Sequence, residues 1–253
     1  MLHQPTVEKM LAMRLEAMVD TWKRLDGDED QRALPFEDKL ALMVDHLWTS
    51  RQNLAFEQRL RRAKLKNGPC VEDIDYRAAR GLDKNLMRSL AADSGWVRQH
   101  ENVFILGPTG VGKSFLATAL AQKACRDGYS VFYTRATALF RDLAVARGDG
   151  TMPQLLLRLS RIDVLVVDDW AMAPMAENER RDFWEICEER YQERSLVLTS
   201  QLPVAQWYEQ IGDATVAEGI LDRIIHAAHR IELRGDSLRK NPPPKRATPK
   251  PAG

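Results

Sequence analysis

Eight residues, GPTGVGKS at 107–114, restrict this chain more than any other stretch. They follow the apolar run Val103, Phe104, Ile105, Leu106 and lead into a segment of helical character. Glycines let the backbone come close to a ligand with its N–H groups turned inward. A helix opening at Lys113 aims the positive end of its dipole at the same point. The pattern G-x-x-x-x-G-K-[ST] is met by Gly107, Gly112, Lys113 and Ser114, with Pro108, Thr109, Gly110 and Val111 completing the loop. Such a loop between a strand and a helix is a cradle for a nucleoside triphosphate. Lys113 is expected to reach the β/γ oxygens and Ser114 to place its hydroxyl on Mg²⁺.

The surrounding pattern agrees. Short apolar segments at 103–106, 131–134, 163–167, 195–199 and 230–233 alternate with helical stretches near 113–126, 137–146, 177–193 and 217–228. That alternation predicts an α/β fold with a parallel sheet covered on both faces. Ligands of such sheets bind beyond the C-terminal ends of the strands. There the segment VLVVDDW presents Asp168 and Asp169. Asp168 is expected to serve the Mg²⁺ shell and Asp169 to orient or activate the attacking water; the bland alternative is a helix cap or surface turn. The segment SLVLTSQLP ends another apolar run, and either Gln201 or Ser200 is placed to meet a γ-phosphate. Arg223 lies on a helix whose apolar face comprises Ile220, Ile224, Ala227 and Ala228. Two readings stand for it: an ion pair within the chain, or an arginine that reaches the γ-phosphate of a neighbouring subunit. His226 and His229 have no third ligand or H-E-x-x-H pattern with them, so no metal site is assigned.

Ahead of this region two apolar stripes run at helical spacing: Val7, Leu11, Leu15, Met18, Trp22, Leu25 over 6–25, and Phe36, Leu40, Met43, Leu47, Leu54 from about 35 to 66. They predict a packed helical hairpin, a small N-terminal helical domain over 1–66 preceding the sheet domain at 67–240, with a Pro- and Lys-rich disordered tail at 241–253. The second helix ends in a basic run, of which Arg59, Arg62 and Lys66 fall on one face. Such a stripe neutralises backbone phosphates without reading sequence, unless it is simply a solvated face. The formal net charge of the chain is +1, so any nucleic-acid surface must be local. Three dispersed cysteines, the lack of a signal-like N-terminus and the lack of an apolar run near 20 residues predict a reduced, cytoplasmic protein without membrane contact.

Taken in order, these segments resemble the AAA+ ATPases, and more closely the IstB family of insertion-sequence transposition helper proteins, related to the DnaC helicase loaders. The likeness runs from EDIDYRAARGLDKNLMRSLA through WVRQHENVFILGPTGVGKSFLATALAQKACRDGYSVFYTRATALF, DVLVVDDWAMAPM and LVLTSQLPVAQWYEQIGD to ILDRIIHAAHRIELRGDSLRK, about residues 72–240. The resemblance implies an AAA+ P-loop core of five parallel strands with the loop strand inside the sheet. It also implies ATP and Mg²⁺ as ligands, ATP-dependent binding to double-stranded DNA, self-assembly on it, and delivery of target DNA to a partner transposase. It places Gly107–Ser114 at Walker A, Asp168 and Asp169 at Walker B, Gln201 at the sensor-1 position and Arg223 where an arginine finger is expected. Two departures stand out. The Walker B pair is Asp-Asp where Asp-Glu is usual, which implies slow turnover. Ala171 stands where relatives often carry glycine after the tryptophan. Little chain follows the last strand, so the helical lid of larger AAA+ proteins is not expected. The rival readings are a DnaC-like replicative helicase loader, a small-molecule kinase and a nucleotide-gated module that hardly hydrolyses. The aspartate pair and the lone downstream Arg223 favour water as acceptor over a kinase's alcohol.

Overall fold

The computed structural model describes residues 4–65 and 68–238. The chain divides into two compact units, Met1–Gln58 and Arg59–Gly253. In the first, α1 (Gln4–Ala12), α2 (Glu16–Gly27) and α3 (Glu29–Arg32) precede the long α4 (Phe36–Arg62), which crosses the division. The single N-terminal helix expected over 6–25 is broken. Arg14 adopts φ 58°, a left-handed conformation that no helix accommodates. The packed hairpin is also only partly realised. Val19, Thr21, Leu25 and Met43 are buried, and Thr21 Oγ1 sits 2.6 Å from His46 Nδ1, joining α2 to α4. Yet Phe36, Leu40 and Leu54 of the predicted stripe are exposed. Spacing identifies which residues share a helix face; it does not supply the surface that covers that face. The helix also stops at Arg62 rather than near 66, because Lys64 turns to φ 60°.

The second unit is built on β1 (Asn102–Leu106), β2 (Val131–Arg135), β3 (Val164–Asp168), β4 (Ser195–Ser200) and β5 (Ala228–Glu232). All pair in parallel, in the order β2-β3-β4-β1-β5. The loop strand β1 is therefore interior, and β4 lies between it and the aspartate strand β3. Its helices are α5 (Lys84–Ala92), α6 (Gly95–Arg98), α7 (Lys113–Arg126), α8 (Ala136–Asp149), α9 (Met152–Arg161), α10 (Glu177–Arg190), α11 (Trp207–Ile211) and α12 (Ala214–Ile225). Local chemistry sets several starts. Asp83 accepts from the amides of Asn85 and Leu86, and Asp213 from that of Val216, which satisfies N–H groups that a helix end leaves open. The last helix–strand pair is shifted from expectation: α12 ends at Ile225 and Ala228 already belongs to β5, so Ala227 and Ala228 are not part of its apolar face.

Both faces of the sheet are covered, as the unbroken apolar strands require. Phe104, Leu106, Leu165, Val167, Leu196 and Leu198 join residues of α8 to α12 in one core, while α7 packs against β1 to β4. An aromatic group ties this core to the strand ends: Trp170 lies 4.4 Å from Trp207 and 5.3 Å from Phe183, centroid to centroid. Such pairs add about 0.5–1.5 kcal/mol each beyond burial. Arg190, the last residue of α10, is buried and donates to the carbonyls of Leu159, Ile162, Asp163 and Ser195. Burial lowers its pKa to about 9, so it stays charged at neutral pH while stapling α9 to the entries of β3 and β4.

Candidate nucleotide site

The loop leaving β1 is a left-handed nest. Gly107 has φ 141°, and a Cβ there would collide with the carbonyl of Leu233. Gly112, at φ 98°, precedes the first turn of α7, and a Cβ on it would lie 2.6 Å from Arg80 Nη1. Any side chain at either position is excluded twice, by backbone conformation and by space. The chain after β5 runs back over this loop: Leu233 N donates to Leu106 O at 2.7 Å and Leu238 N to Gly110 O at 2.9 Å. A short strap, Leu233 to Leu238, thus lies over the loop.

Lys113 is buried and its Nζ donates to Pro108 O at 2.9 Å. Ser114 Oγ donates to Asp168 Oδ1 at 2.9 Å. Asp168, the last residue of β3, also accepts from Thr199 Oγ1 on Oδ1 at 2.5 Å and from Tyr133 Oη on Oδ2 at 2.6 Å. The carboxylate is thereby held by donors from three elements, β2, β4 and α7. Burial first, and then the bond to Asp168, push the Tyr133 hydroxyl well above its usual pKa, so it remains a donor. Asp169 has φ 57° and its amide donates to Thr199 Oγ1 at 2.9 Å, while Trp170 N donates to Thr199 O at 2.8 Å. Thr199 is thus the hinge pin of the aspartate turn: one hydroxyl donates to Asp168 and accepts from Asp169. Ala171 follows at φ 56°. That left-handed conformation costs an alanine about 1–2 kcal/mol, where a glycine would adopt it freely.

Lys113, Ser114, Tyr133, Asp168 and Asp169 line one cavity of 770 Å³, together with Thr109, Gly110, Gly112, Phe115, Arg135, Gln201, Asp73, Asp75, Ala78 and Arg80. Its volume is that of a small-molecule site. Of the two residues left open after β4, Gln201 faces the cavity, whereas Ser200 Oγ is used to accept from Leu202 N at 3.2 Å. Arg223 lies elsewhere. It pairs with Glu188, and its Nη1 donates to Gly219 O at 2.8 Å. It borders a separate cleft with Asn102 and Leu196, residues at the N-terminal ends of β1 and β4. His226 and His229 are each on their own carboxylate, Asp222 and Glu101. Sequence reasoning overlooked Thr199, Tyr133, Arg135 and Arg80. A hydroxyl directly after the apolar run Leu196, Val197, Leu198 of β4 was the one available hint for Thr199.

A Thr199→Val substitution keeps the shape, deletes one donor to Asp168 and strands the amide of Asp169. We expect a loss of about 1–3 kcal/mol, read as a Tm lower by roughly 2–8 °C, and a turnover at least ~10-fold lower at saturating Mg²⁺. Unchanged turnover would separate Thr199 from the chemistry.

A profile of the family described as IstB-like ATP binding protein matches residues 8–245. The chain belongs to the IstB family. It is 45% identical over 241 residues to the insertion sequence ATP-binding protein y4pL of Sinorhizobium fredii, covering 95% of this chain and 98% of that one. An IS1162 ATP-binding protein of Pseudomonas fluorescens is 39% identical, covering 80% of this chain and 88% of its own. Among solved structures, DnaI aligns with a TM-score of 0.55 at 22% identity, covering 67% of this IstB chain and 93% of that one. DnaA bound to AMPPCP and single-stranded DNA aligns with a TM-score of 0.54 at 20% identity, covering 66% and 50%. These structural likenesses establish that this IstB protein shares the fold of DnaI and DnaA. Among its described residues no helix is long and apolar enough to cross a membrane.

Proposed function

We propose that this protein is an ATP-dependent assembly factor that binds double-stranded target DNA, presents it to the transposase of the same insertion sequence and stimulates that enzyme. Hydrolysis of ATP releases the assembly. One observation carries the reading: the triphosphate cradle lies at the C-terminal ends of the strands, and Arg223 borders a cleft at their N-terminal ends. A strand of five residues spans about 16 Å, so Arg223 serves a nucleotide only in a neighbouring copy. The names of the relatives, ATP-binding proteins of insertion sequences, support the setting.

Within one subunit, the loop amides from Thr109 to Ser114 and the Lys113 ammonium bind the phosphates, and Gln201 approaches the terminal one. Mg²⁺ held by Ser114 and Asp168 supplies charge neutralisation on the phosphates. Asp169 orients the attacking water from a left-handed turn, with a side chain one methylene shorter than glutamate, which suits a slow timer. For DNA, the expected stripe is altered. Arg59 is committed to Cys125 O at 2.8 Å, Arg62 is exposed, and Lys66 lies outside the described residues, as does the 241–253 tail.

The test is light scattering of the full chain on a long duplex. Large assemblies should form with ATP and a non-hydrolysable analogue, disperse as ATP is consumed, and fail to form with ADP. Assembly independent of nucleotide would sink the proposal, as would failure of ATP-loaded assemblies to retain purified transposase.

A further inference from the structure

The cavity contains a cation that the reading above leaves without a task. Arg135 ends β2, and the parallel register sets it opposite Asp168 of β3. Tyr133, two residues earlier, shares its side of the strand, and the Tyr133 hydroxyl reaches Asp168 at 2.6 Å. Arg135 and Tyr133 line the cavity beside Ser114, Lys113 and Asp169. The charge of Arg135 is felt at the Tyr133 hydroxyl, where it opposes the upward push of burial and of Asp168. Register and cavity lining set Arg135 beside Asp168, yet its guanidinium makes no hydrogen bond or ion pair among the described residues, and the residue is exposed.

The other arginines near a site are engaged, although the Nε of Arg80 and of Arg223 is buried without a hydrogen-bond partner. Arg80 is buried and donates to the carbonyls of Val111 and Asp75. Arg223, at the other cleft, is paired with Glu188. The cavity wall also carries Asp73, Asp75, Asp168 and Asp169. A terminal phosphoryl group that enters beside Asp168 and Asp169 meets like charge, and this repulsion is absent for a diphosphate that stops short of them. An unspent guanidinium at that wall offsets it, with planar donors matched to phosphate oxygens.

We propose that Arg135 is a ligand in cis for the terminal phosphate of a bound nucleoside triphosphate, so that a single subunit distinguishes tri- from diphosphate before any neighbour contributes Arg223. The proposal rests on the reading of the cavity as a triphosphate site and adds a residue and a task to it. The two arginines then divide the work: Arg135 registers that the triphosphate is present, and Arg223 acts once copies meet.

The experiment is an equilibrium titration of the full chain with ATP, a non-hydrolysable ATP analogue and ADP, without DNA and at fixed ionic strength. Wild type is compared with Arg135→Gln and Arg135→Lys. Both variants change an exposed side chain at a strand end, and their Tm is checked against wild type. Arg135→Gln should lose about 10- to 100-fold in affinity for ATP and the analogue, keep ADP affinity within about twofold, and regain part of the loss in Arg135→Lys. Equal losses for ATP and ADP would mean a general field and overturn the proposal. Unchanged affinities overturn it too, including the case in which only duplex binding weakens and Arg135 belongs to a DNA surface. A wild-type chain that binds neither nucleotide would instead defeat the underlying reading of the cavity.

Discussion

Arg223→Ala should leave ATP affinity within about twofold and cut hydrolysis on DNA by roughly a thousandfold, the effect of removing an arginine that stabilises charge on the transferred phosphoryl group. The prediction follows from position. Arg223 is in the last turn of α12, beside the residues that open β1 and β4, while Ser114 and Asp168 are at the strands' C-terminal ends. No side chain spans that distance, so loss of binding is not expected and loss of chemistry is. In the isolated subunit Arg223 is held by Glu188, whose carboxylate also accepts from Trp184 Nε1 at 3.1 Å. That pair is partly solvated and therefore weak, so a neighbour's phosphate competes with it. Mixing gives the decisive control. Arg223→Ala subunits keep an intact cradle, and Lys113→Ala subunits keep an intact arginine. Together they should recover measurable turnover that neither shows alone. Hydrolysis that survives Arg223→Ala in the assembled state would remove the arginine from the reaction.

Lys113→Ala should weaken ATP binding by about 10- to 100-fold, the loss of one charge-assisted bond of roughly 1.5–3 kcal/mol, and abolish ATP-dependent assembly on duplex DNA. Lys113 is buried at the start of α7 and bonds to Pro108 O across its own loop. The ammonium is thus already inside the nest. Removing it leaves the loop amides and the helix end to bind phosphate alone. Calorimetric titration with ATP reads the first effect and light scattering the second. Assemblies of wild-type size at saturating ATP would show that the cradle does not govern assembly.

Much of this site could be read along the chain because its parts are local. A strand, a glycine loop and a helix are contiguous, so GPTGVGKS specifies its own geometry, and Gly107 and Gly112 adopt the left-handed conformations that their identity suggests. Asp168 and Asp169 were legible for the same reason, at the end of an apolar run. Thr199, Tyr133 and Arg135 were not. Each lies on a different strand from the aspartates, and only the order β2-β3-β4 sets them beside Asp168. The N-terminal stripes failed differently. The spacing of Phe36, Leu40 and Leu54 marks a helix face correctly, but no described residue of their own unit buries them.

By itself, the sequence determined the triphosphate loop, the carboxylates at a strand end, the alternating α/β pattern and the family likeness. These rest on local periodicity and on backbone demands that adjacent residues meet. Only the tertiary structure decided that Thr199 and Tyr133 hold Asp168, that a strap from Leu233 to Leu238 lies over the loop, and that Arg223 borders a different cleft from the one lined by the loop and the aspartates. Those relations depend on which strands are neighbours and at which end of the strands a helix stops, and that follows from long-range pairing rather than from any one segment.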